Sequence, residues 1–357
     1  MQLMYLALKE IRHEKLRYGL IISMIVLIAY LIFILTGLAL GLAGENTQAI
    51  DSWQVKSIVL NKDANIDLSQ SVITEDQAQN AKMTSNEAII SSIPVVAKDK
   101  KHKKISATFI GTKRDQFVFK NLKISSGRKA RNDREVVVDQ KFKDEGYHLG
   151  DKITLNSSND SDKIVGFTKN AKINISPVVY GPVSTWQSLR GMTNVKVAGS
   201  AIVSKTADYH ADNSHLKTYS IPYFISKLPG YSAQNMTFGF MIGFLMIISL
   251  IIIAVFLYIL TMQALPIYAV LRAQGIPART LVATVTSQSL ILMVAGLVIG
   301  ALLTAATASV IPIGVPMSFD IPVLTWISIG LLFMGLIGSA IPARKIATVD
   351  PVKVIGG

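Results

Sequence analysis

Residues 236–261 read MTFGFMIGFLMIISLIIIAVFLYILT, an apolar run without any Asp, Glu, Lys, Arg or His. A helix needs roughly 20 apolar residues to cross a hydrocarbon core of about 30 Å, so this run is long enough to span a membrane. Backbone groups inside lipid find no water, and a helix satisfies its hydrogen bonds within one segment. We therefore predict a transmembrane helix over 236–261.

Three other stretches are free of charged side chains over a similar length and predict further spans at 18–42, 281–308 and 322–342. The first follows a basic N-terminal segment, as the apolar part of a signal peptide does. It is longer than the roughly 7–15 residues of such a region, so we interpret it as a retained span. Four transmembrane helices are therefore expected.

Lys and Arg collect in three segments that flank the spans. Positive side chains close to a span stay on the cytoplasmic side of the membrane, so these segments are predicted to be cytoplasmic. They are an amphipathic helix at 1–17, a coupling loop at 262–280 with Arg272 and Arg279, and a tail at 343–357. The turn at 309–321 is then outside.

Residues 43–235 have the composition of a soluble domain and lie outside the cell in this topology. Short apolar runs bordered by Gly, Asn and Asp predict strands, while 76–92 is interpreted as a helix. The predicted strands are 56–60, 105–111, 135–139, 152–155 and 163–167. The predicted fold is thus an α-helical membrane protein with an α+β extracytoplasmic domain inserted between helices 1 and 2.

Charge and cysteine content narrow the function classes. The chain has no cysteine, which excludes disulfides and zinc–thiolate sites, and a net charge of +13. Such a basic surface beside a membrane is attracted to anionic lipid headgroups, and no aromatic-interleaved motif for nucleic acid occurs. The run KDKKHKK at 98–104 is interpreted as a solvated hairpin loop, with a headgroup contact as the alternative.

Motifs for chemistry are missing from the sequence. It contains no phosphate-binding loop, no H-E-x-x-H and no G-x-S-x-G, so we expect neither an ATPase site nor a hydrolase site. The histidines are scattered, and His210 and His215 fit a surface loop better than a metal site. No metal site is predicted. Four spans without an energy-coupling group indicate a partner that supplies energy.

Several motifs resemble those of the type VII ABC permeases, the MacB/FtsX superfamily. The motifs are LTMQ at 260–263, YAVLRAQG at 268–275, REVVVD at 134–139, LGDKI at 149–153 and ARKIATVDPV at 343–352. The resemblance implies a homodimeric permease of the cell membrane, driven by a separate dimeric ABC ATPase that uses the ATP. It also implies that Arg272, Gly275 and Arg279 lie where the permease touches that ATPase.

Within this superfamily the chain resembles the HrtB-type haem-export permeases of Gram-positive bacteria. The similar stretches are TGLALGLAGEN at 36–46, FLYILTMQ at 256–263 and IGG at 355–357. Cyanobacterial exporters of the DevC type share them. The resemblance implies haem as the transported ligand, with no permanently bound cofactor, taken from the membrane and released outward.

Glu45 and Met241 are the candidate haem ligands. Glu45 is the first charge after span one, where it is a boundary carboxylate, an oxygen ligand to ferric haem, or a partner for a cation. A Met thioether can be an axial haem ligand, although Met is more often a gap filler. Met236 and Met246 flank Met241 at intervals of five, which does not keep one helix face.

Neighbouring residues complete the predicted site. Phe238 and Phe240 could cover a porphyrin face or contact lipid, and Tyr231 could line a lateral entry or anchor the domain in the interface together with Tyr219 and Tyr223. A face of small residues in span one is expected to pack against a second copy or against span two. Its residues are Gly37, Gly41 and Gly44.

The resulting hypothesis is export of haem by mechanotransmission, in which closure of the ATPase pair is passed through span two to the outer domain. Two alternatives stay open at this point. The same machinery could export another amphiphile, such as a peptide, a lipid or a drug. It could instead transmit a signal to a cell-wall hydrolase, as in FtsX-like devices, with nothing crossing the membrane.

Overall fold

The computed structural model describes residues 15–99, 101–158, 160–193, 195–312 and 315–348. Its helices are α1 (Lys15–Trp53), α2 (Glu75–Asn80), α3 (Phe117–Lys120), α4 (Gln140–Asp144), α5 (Val183–Leu189), α6 (Ile221–Ser226), α7 (Tyr231–Ala273), α8 (Ala278–Val310) and α9 (Ile321–Ala347). Of these, α1, α7, α8 and α9 are long and apolar enough to cross a membrane. Each contains one of the four predicted spans. The predicted helix at 1–17 lies almost wholly outside the described residues.

The strands are β1 (Ser57–Asn61), β2 (Ile73–Thr74), β3 (Glu87–Lys98), β4 (Ile105–Thr112), β5 (Ile124–Gly127), β6 (Glu135–Asp139), β7 (Lys152–Leu155), β8 (Ser161–Thr168), β9 (Lys172–Ile173), β10 (Ser176–Pro182), β11 (Val197–Gly199), β12 (Ala201–Ser204) and β13 (Leu216–Ser220). The chain divides into two units. A helical unit comprises residues up to Gly41 and from Asn235 onward, and the second unit is Leu42–Gln234.

Small residues let the long helices of the helical unit approach each other closely. A Cβ added to Gly296 of α8 would lie 2.8 Å from Cβ of Ile25 in α1, and one on Gly300 would lie 3.0 Å from Cβ of Ala29. Gly338 of α9 faces the backbone of Ala254 in α7 in the same way, at 3.3 Å. Without a hydrophobic driving force in lipid, such close packing is what holds membrane helices together.

The second unit is built on one large mixed sheet with the strand order β13-β1-β12-β3-β4-β10-β6-β8-β5. Pairs β4–β10 and β6–β8 are parallel, and the remaining neighbours in this order are antiparallel. Alternate side chains of β10 enter different cores: Val178 and Tyr180 enter one, and Val179 the other. Since side chains alternate along a strand, the sheet is covered on both faces.

The end of α1 belongs to one of these two cores. Ala49, Ile50 and Trp53 are buried among residues of the sheet and of α6. The indole Nε1 of Trp53 donates a hydrogen bond to the hydroxyl of Tyr180 at 3.1 Å. The first transmembrane helix therefore continues without a break into the domain, ending well beyond the predicted boundary at residue 42.

The predicted strands coincide with β1, β4, β6, β7 and β8 to within two residues at each end. The predicted helix at 76–92 is wrong beyond Asn80. A capping box between Thr74 and Gln77 starts α2, but Lys82 has a positive φ of 49°, which ends it. The β-branched residues that follow form β3, which is paired on both sides by β4 and β12. Non-local pairing thus overrides the local pattern.

Candidate functional site

Glu45 lies in the domain part of α1 and is paired with a lysine. Its carboxylate forms an ion pair with Nζ of Lys172, and the two side chains are only 16% and 21% exposed. The backbone N–H groups of Asn174 and Ile175 donate to the carbonyls of Asn46 and Glu45 at 3.0 and 3.3 Å. The turn after β9 is therefore docked on α1 where Glu45 emerges.

A second carboxylate lies behind this pair. Asp139, at the end of β6, is 3% exposed and accepts hydrogen bonds from the backbone N–H groups of Lys141 and Ala171. Burial raises the pKa of the Asp139 carboxyl, while those hydrogen bonds and the nearby Lys172 charge act in the opposite direction. The ammonium of Lys172 thus pairs with Glu45 and also lies near enough to Asp139 to act on its pKa.

Met241 belongs to the helical unit, on α7. Its side chain is 45% exposed, and those of Met236 and Phe240 are 62% and 61% exposed. Met246 instead points into the helical unit, because a Cβ on Gly330 would lie 2.9 Å from its Cε. Met236 and Met241 are therefore both exposed, whereas Met246 packs inside the helical unit. The five-residue interval turns each of them about 140° from the next around the helix, so the three do not share one face.

The aromatic side chains of the predicted lining differ from one another. Phe238 is half-buried. Tyr231 is partly buried and packs against the core that holds Trp53. The rings of Tyr219 and Tyr223 stack at 5.9 Å. Tyr231 therefore joins the hydrophobic core of the domain, where it anchors the start of α7.

The predicted small-residue face of α1 has a different partner from the one expected. A Cβ on Gly37 would lie 3.0 Å from Cδ1 of Phe319, and one on Gly41 would lie 2.7 Å from Cα of Met317. The backbone N–H of Ser318 donates to the carbonyl of Gly37 at 2.9 Å. Gly37 and Gly41 thus admit the segment that precedes α9, and the expectation of a second copy or of span two is wrong for these two. At Gly44 a Cβ would meet no described atom within 4 Å, so the expectation stays a prediction there.

The predicted coupling loop at 262–280 is mostly helical. Helix α7 continues through Pro266 to Ala273, and Gly275 and Pro277 follow directly after its end. Gly275 has a φ of 90°, and the N–H groups of Gly275 and Ile276 donate to the carbonyls of Arg272 and Leu271. These two bonds define a Schellman motif, which needs a glycine at this position.

The two arginines of this segment differ in their surroundings. Arg272 donates from Nη1 to the carbonyl of Ala347 at 3.2 Å, linking the ends of α7 and α9. Arg279 lies in the first turn of α8 and is exposed. Of the two side chains, that of Arg279 is the more accessible to a partner protein.

The sequence left a cation partner for Glu45 open, but it did not identify Lys172 as that partner. The two residues are 127 positions apart, and no local pattern connects them. A lysine in a polar segment carries no signal of its burial beside a carboxylate. Only the pairing of β9 with β10 brings Lys172 to α1.

Four long apolar helices with an α+β domain inserted after the first define a polytopic membrane protein of the permease class. The family model of the MacB-like periplasmic core domain matches residues 19–210, more than half of the chain, and that of the FtsX-like permease C-terminal domain matches 239–351. The chain therefore belongs to the MacB/FtsX-type family of ABC transporter permeases. It is a multi-pass protein of the cell membrane, and its α+β domain is extracytoplasmic.

Named relatives extend over the whole chain. A hemin transport system permease protein, HrtB, of Staphylococcus epidermidis is 26% identical over 364 residues, 99% of each chain. Its counterpart from Staphylococcus haemolyticus is 24% identical over 367 residues, again 99% of each. The crystal structure of the periplasmic region of MacB from Actinobacillus actinomycetemcomitans matches with a TM-score of 0.35 and 16% identity, covering 47% of this chain and 90% of that one.

Proposed function

We propose that this permease extrudes haem from the membrane as a homodimer, driven by a separate ABC ATPase that consumes the ATP. The observation that carries the proposal is the collinear similarity to relatives named for hemin transport, which covers 99% of both chains. That coverage includes the inserted domain and every span. A shared substrate is the simplest reason for similarity over such a length.

In this proposal Glu45 and Met241 supply oxygen and thioether ligands to the haem iron. Glu45 is held by Lys172, so haem must displace the ammonium before the carboxylate can bind iron. The released Lys172 then faces one of the two haem propionates, which it neutralises. Breaking one ion pair while making another keeps the net binding free energy small, as a site that must also release its ligand requires.

The exposed part of α7 suits the entry of a flat apolar ligand. Met236, Phe240 and Met241 present thioethers and an aromatic ring on the outside of the single chain. In a membrane such a surface contacts lipid, haem or a second copy. A haem that leaves the lipid sideways meets these side chains first.

We propose that motion is passed outward through span two, which lies in α7, and that the continuous helix α1 offers a second route. The helix has 39 residues, and at 1.5 Å per residue it is about 58 Å long, nearly twice the hydrocarbon thickness. We expect closure of the ATPase pair to push on 262–280 through Arg279, with Arg272 and Gly275 holding the end of α7 in shape. Movement of α1 along its length is then transmitted to the core around Trp53.

The test is a titration of haem into the permease, purified with the ABC ATPase of its own operon, while absorption spectra are recorded. We expect a saturable Soret shift that Glu45→Ala and Met241→Ala each weaken, and that Lys172→Ala alters in its dependence on salt. Met262→Ala is the matched control, because Met262 is an exposed thioether on the same helix beyond the proposed site. A shift that ignores all these variants would move the haem site elsewhere.

An FtsX-like signalling role is the second candidate, favoured by the family match over residues 239–351. It predicts no saturable Soret shift and ATPase activity that is indifferent to haem. Cells that lack the permease would then grow as chains and tolerate haem normally. Stimulation of the ATPase by another amphiphile, with no haem response, would instead indicate a different export substrate.

A further inference from the structure

A cluster of metal-ligating side chains lies in the extracytoplasmic domain. One ring nitrogen each of His102 and His148 and a carboxylate oxygen of Asp151 all lie within 4.8 Å of one another. His102 is in the loop between β3 and β4, and the other two residues are in the loop before β7. Because the end of β3 pairs with β7 at Ala97↔Leu155 and Lys98↔Thr154, the sheet brings these loops together.

His102 is held in a fixed orientation. Its Nδ1 lies 2.7 Å from Oδ2 of Asp99, and its ring stacks on Tyr147 at a centroid distance of 4.5 Å. The hydroxyl of Tyr147 in turn donates to the carbonyl of Lys103 at 2.9 Å. A carboxylate bound to one imidazole nitrogen fixes the tautomer and leaves the other nitrogen as a ligand, the arrangement usual behind metal-bound histidines.

Asp99 is itself fixed in place by the loop. Its carboxylate accepts hydrogen bonds from the backbone N–H groups of His102 and Lys101. The two backbone bonds are 2.6 and 2.9 Å long. With the Asp99 carboxylate at Nδ1, Nε2 is the ring nitrogen that His102 can offer to an ion.

His148 and Asp151 form the adjustable side of the cluster. The His148 side chain is 80% exposed, and its Nδ1 lies 4.0 Å from Oδ2 of Asp151. The same Oδ2 accepts the backbone N–H of His148 at 2.7 Å, which ties the turn together. A ring that projects into solvent can rotate toward an ion without disturbing the core.

We propose that His102, His148 and Asp151 bind one divalent transition-metal ion of the Zn²⁺ class. Two imidazoles and a carboxylate match the preference of such ions, whereas Ca²⁺ and Mg²⁺ need sites made of oxygen. Zn–N and Zn–O bonds of about 2.0–2.2 Å place tetrahedral donors roughly 3.4 Å apart, so the cluster must contract by about 1 Å. Rotation of His148 provides that contraction.

Charge sets the expected affinity. Asp99 and Asp151 together offset the 2+ charge of the ion, but Lys101 and Lys103 flank His102 in the chain and oppose binding. We therefore expect micromolar affinity, in a site whose remaining position is open to water. The bound ion would fasten the β3–β4 loop to the loop before β7. This site is independent of haem transport.

The experiment is a titration of Co²⁺ and Zn²⁺ into the tag-free full chain in detergent, after treatment with a chelator. Ligand-field absorption follows Co²⁺, and calorimetry follows Zn²⁺. We expect one ion per chain, with at least about tenfold weaker binding in His148→Ala and a similar loss in Asp99→Asn, which removes the orienting carboxylate. His210→Ala is the matched control, since its exposed ring donates from Nδ1 to the backbone carbonyl of Asp208 and lies outside the cluster.

Two results would overturn the proposal: no saturable binding by the unaltered chain, or unchanged affinity in His148→Ala. Failure of a variant to fold does not confuse the outcome, because the exposed His148 ring makes no described hydrogen bond. Circular dichroism of His148→Ala, matching that of the unaltered chain, checks this directly.

Discussion

Gly41→Ala tests the close approach between α1 and the segment before α9. A Cβ at residue 41 would lie 2.5 Å from the carbonyl carbon of Pro316 and 2.7 Å from Cα of Met317. Non-bonded carbons prefer about 3.5–4.0 Å, so the two backbones must separate by about 1 Å. Neither neighbour is a flexible side chain that could turn away.

The magnitude is isolated by a matched control, Gly19→Ala, on the same helix. Alanine gains about 1 kcal/mol over glycine in a helix, and both variants share that gain. At Gly19 a new Cβ would meet no described atom within 4 Å. The difference between the variants is then the overpacking strain, about 1–3 kcal/mol. In a unit of this size it corresponds to about 2–12 °C in melting temperature.

The assay is thermal unfolding in detergent followed by circular dichroism, with both variants heated at the same rate because such unfolding is often irreversible. Gly41→Ala should melt below Gly19→Ala by the stated interval. Equal melting temperatures would refute the reasoning, since they would mean that α1 and the Pro316–Met317 backbone are not in contact.

Four further predictions concern single residues. Burial raises the pKa of Asp162 to about 6, above its ordinary 3.8. The folded domain therefore loses roughly 2–3 kcal/mol of stability as pH rises through about 6. Urea denaturation should show Asp162→Asn to be more stable than the unaltered protein at neutral pH and equally stable below about pH 4. The Arg128 guanidinium, helped by backbone N–H groups, lowers the pKa of Glu135 to about 2. The ionised Glu135 therefore stabilises the fold above about pH 4.5, and this stabilisation disappears as pH falls toward 2. Glu135→Gln should lose about 1–2 kcal/mol of stability at neutral pH, a modest loss because water screens the half-exposed Arg128, and its stability should depend less on acid in the same assay. Gly275→Ala should lower the melting temperature, because a φ of 90° costs an L-residue about 1–2 kcal/mol. Arg279→Ala should leave the melting temperature unchanged and reduce ATPase activity in the assembled transporter.

The spans could be predicted because absence of charge over 20 or more residues is a local property. The same holds for β6 and β7, where a short apolar run and its bordering turn residues lie next to each other in the chain. The helix expected at 76–92 failed because Ile89 and Ile90 suit either helix or strand. Their burial between β4 and β12 settles the choice, and that pairing is not local.

In the candidate site, too, local features could be predicted from the sequence and contacts between distant segments could not. The glycines of α1 indicated close packing, but which backbone fills the space depends on where the segment with Phe319 lies. Gly275 was expected to touch an ATPase. Its φ of 90° shows that it also ends α7, a role that the glycine of the YAVLRAQG stretch fits equally well. Lys172 and the pairing of His102 with His148 were missed because contacts between distant loops follow from strand order.

The hydrogen bond at the end of α1 makes Trp53 an intrinsic fluorescence probe of this helix. Of its three tryptophans, Trp53 and Trp186 are sealed in the domain and each donates to an acceptor, whereas Trp326 is 73% exposed on α9. Trp326→Phe leaves fluorescence emission from the domain alone. If movement of α1 breaks the Trp53–Tyr180 hydrogen bond, the emission of Trp53 changes while that of Trp186 supplies a constant background. A haem within energy-transfer distance would quench the tryptophan emission. Because the protein has no cysteine, a single introduced cysteine can carry an acceptor dye at any position whose distance from the tryptophans is to be measured.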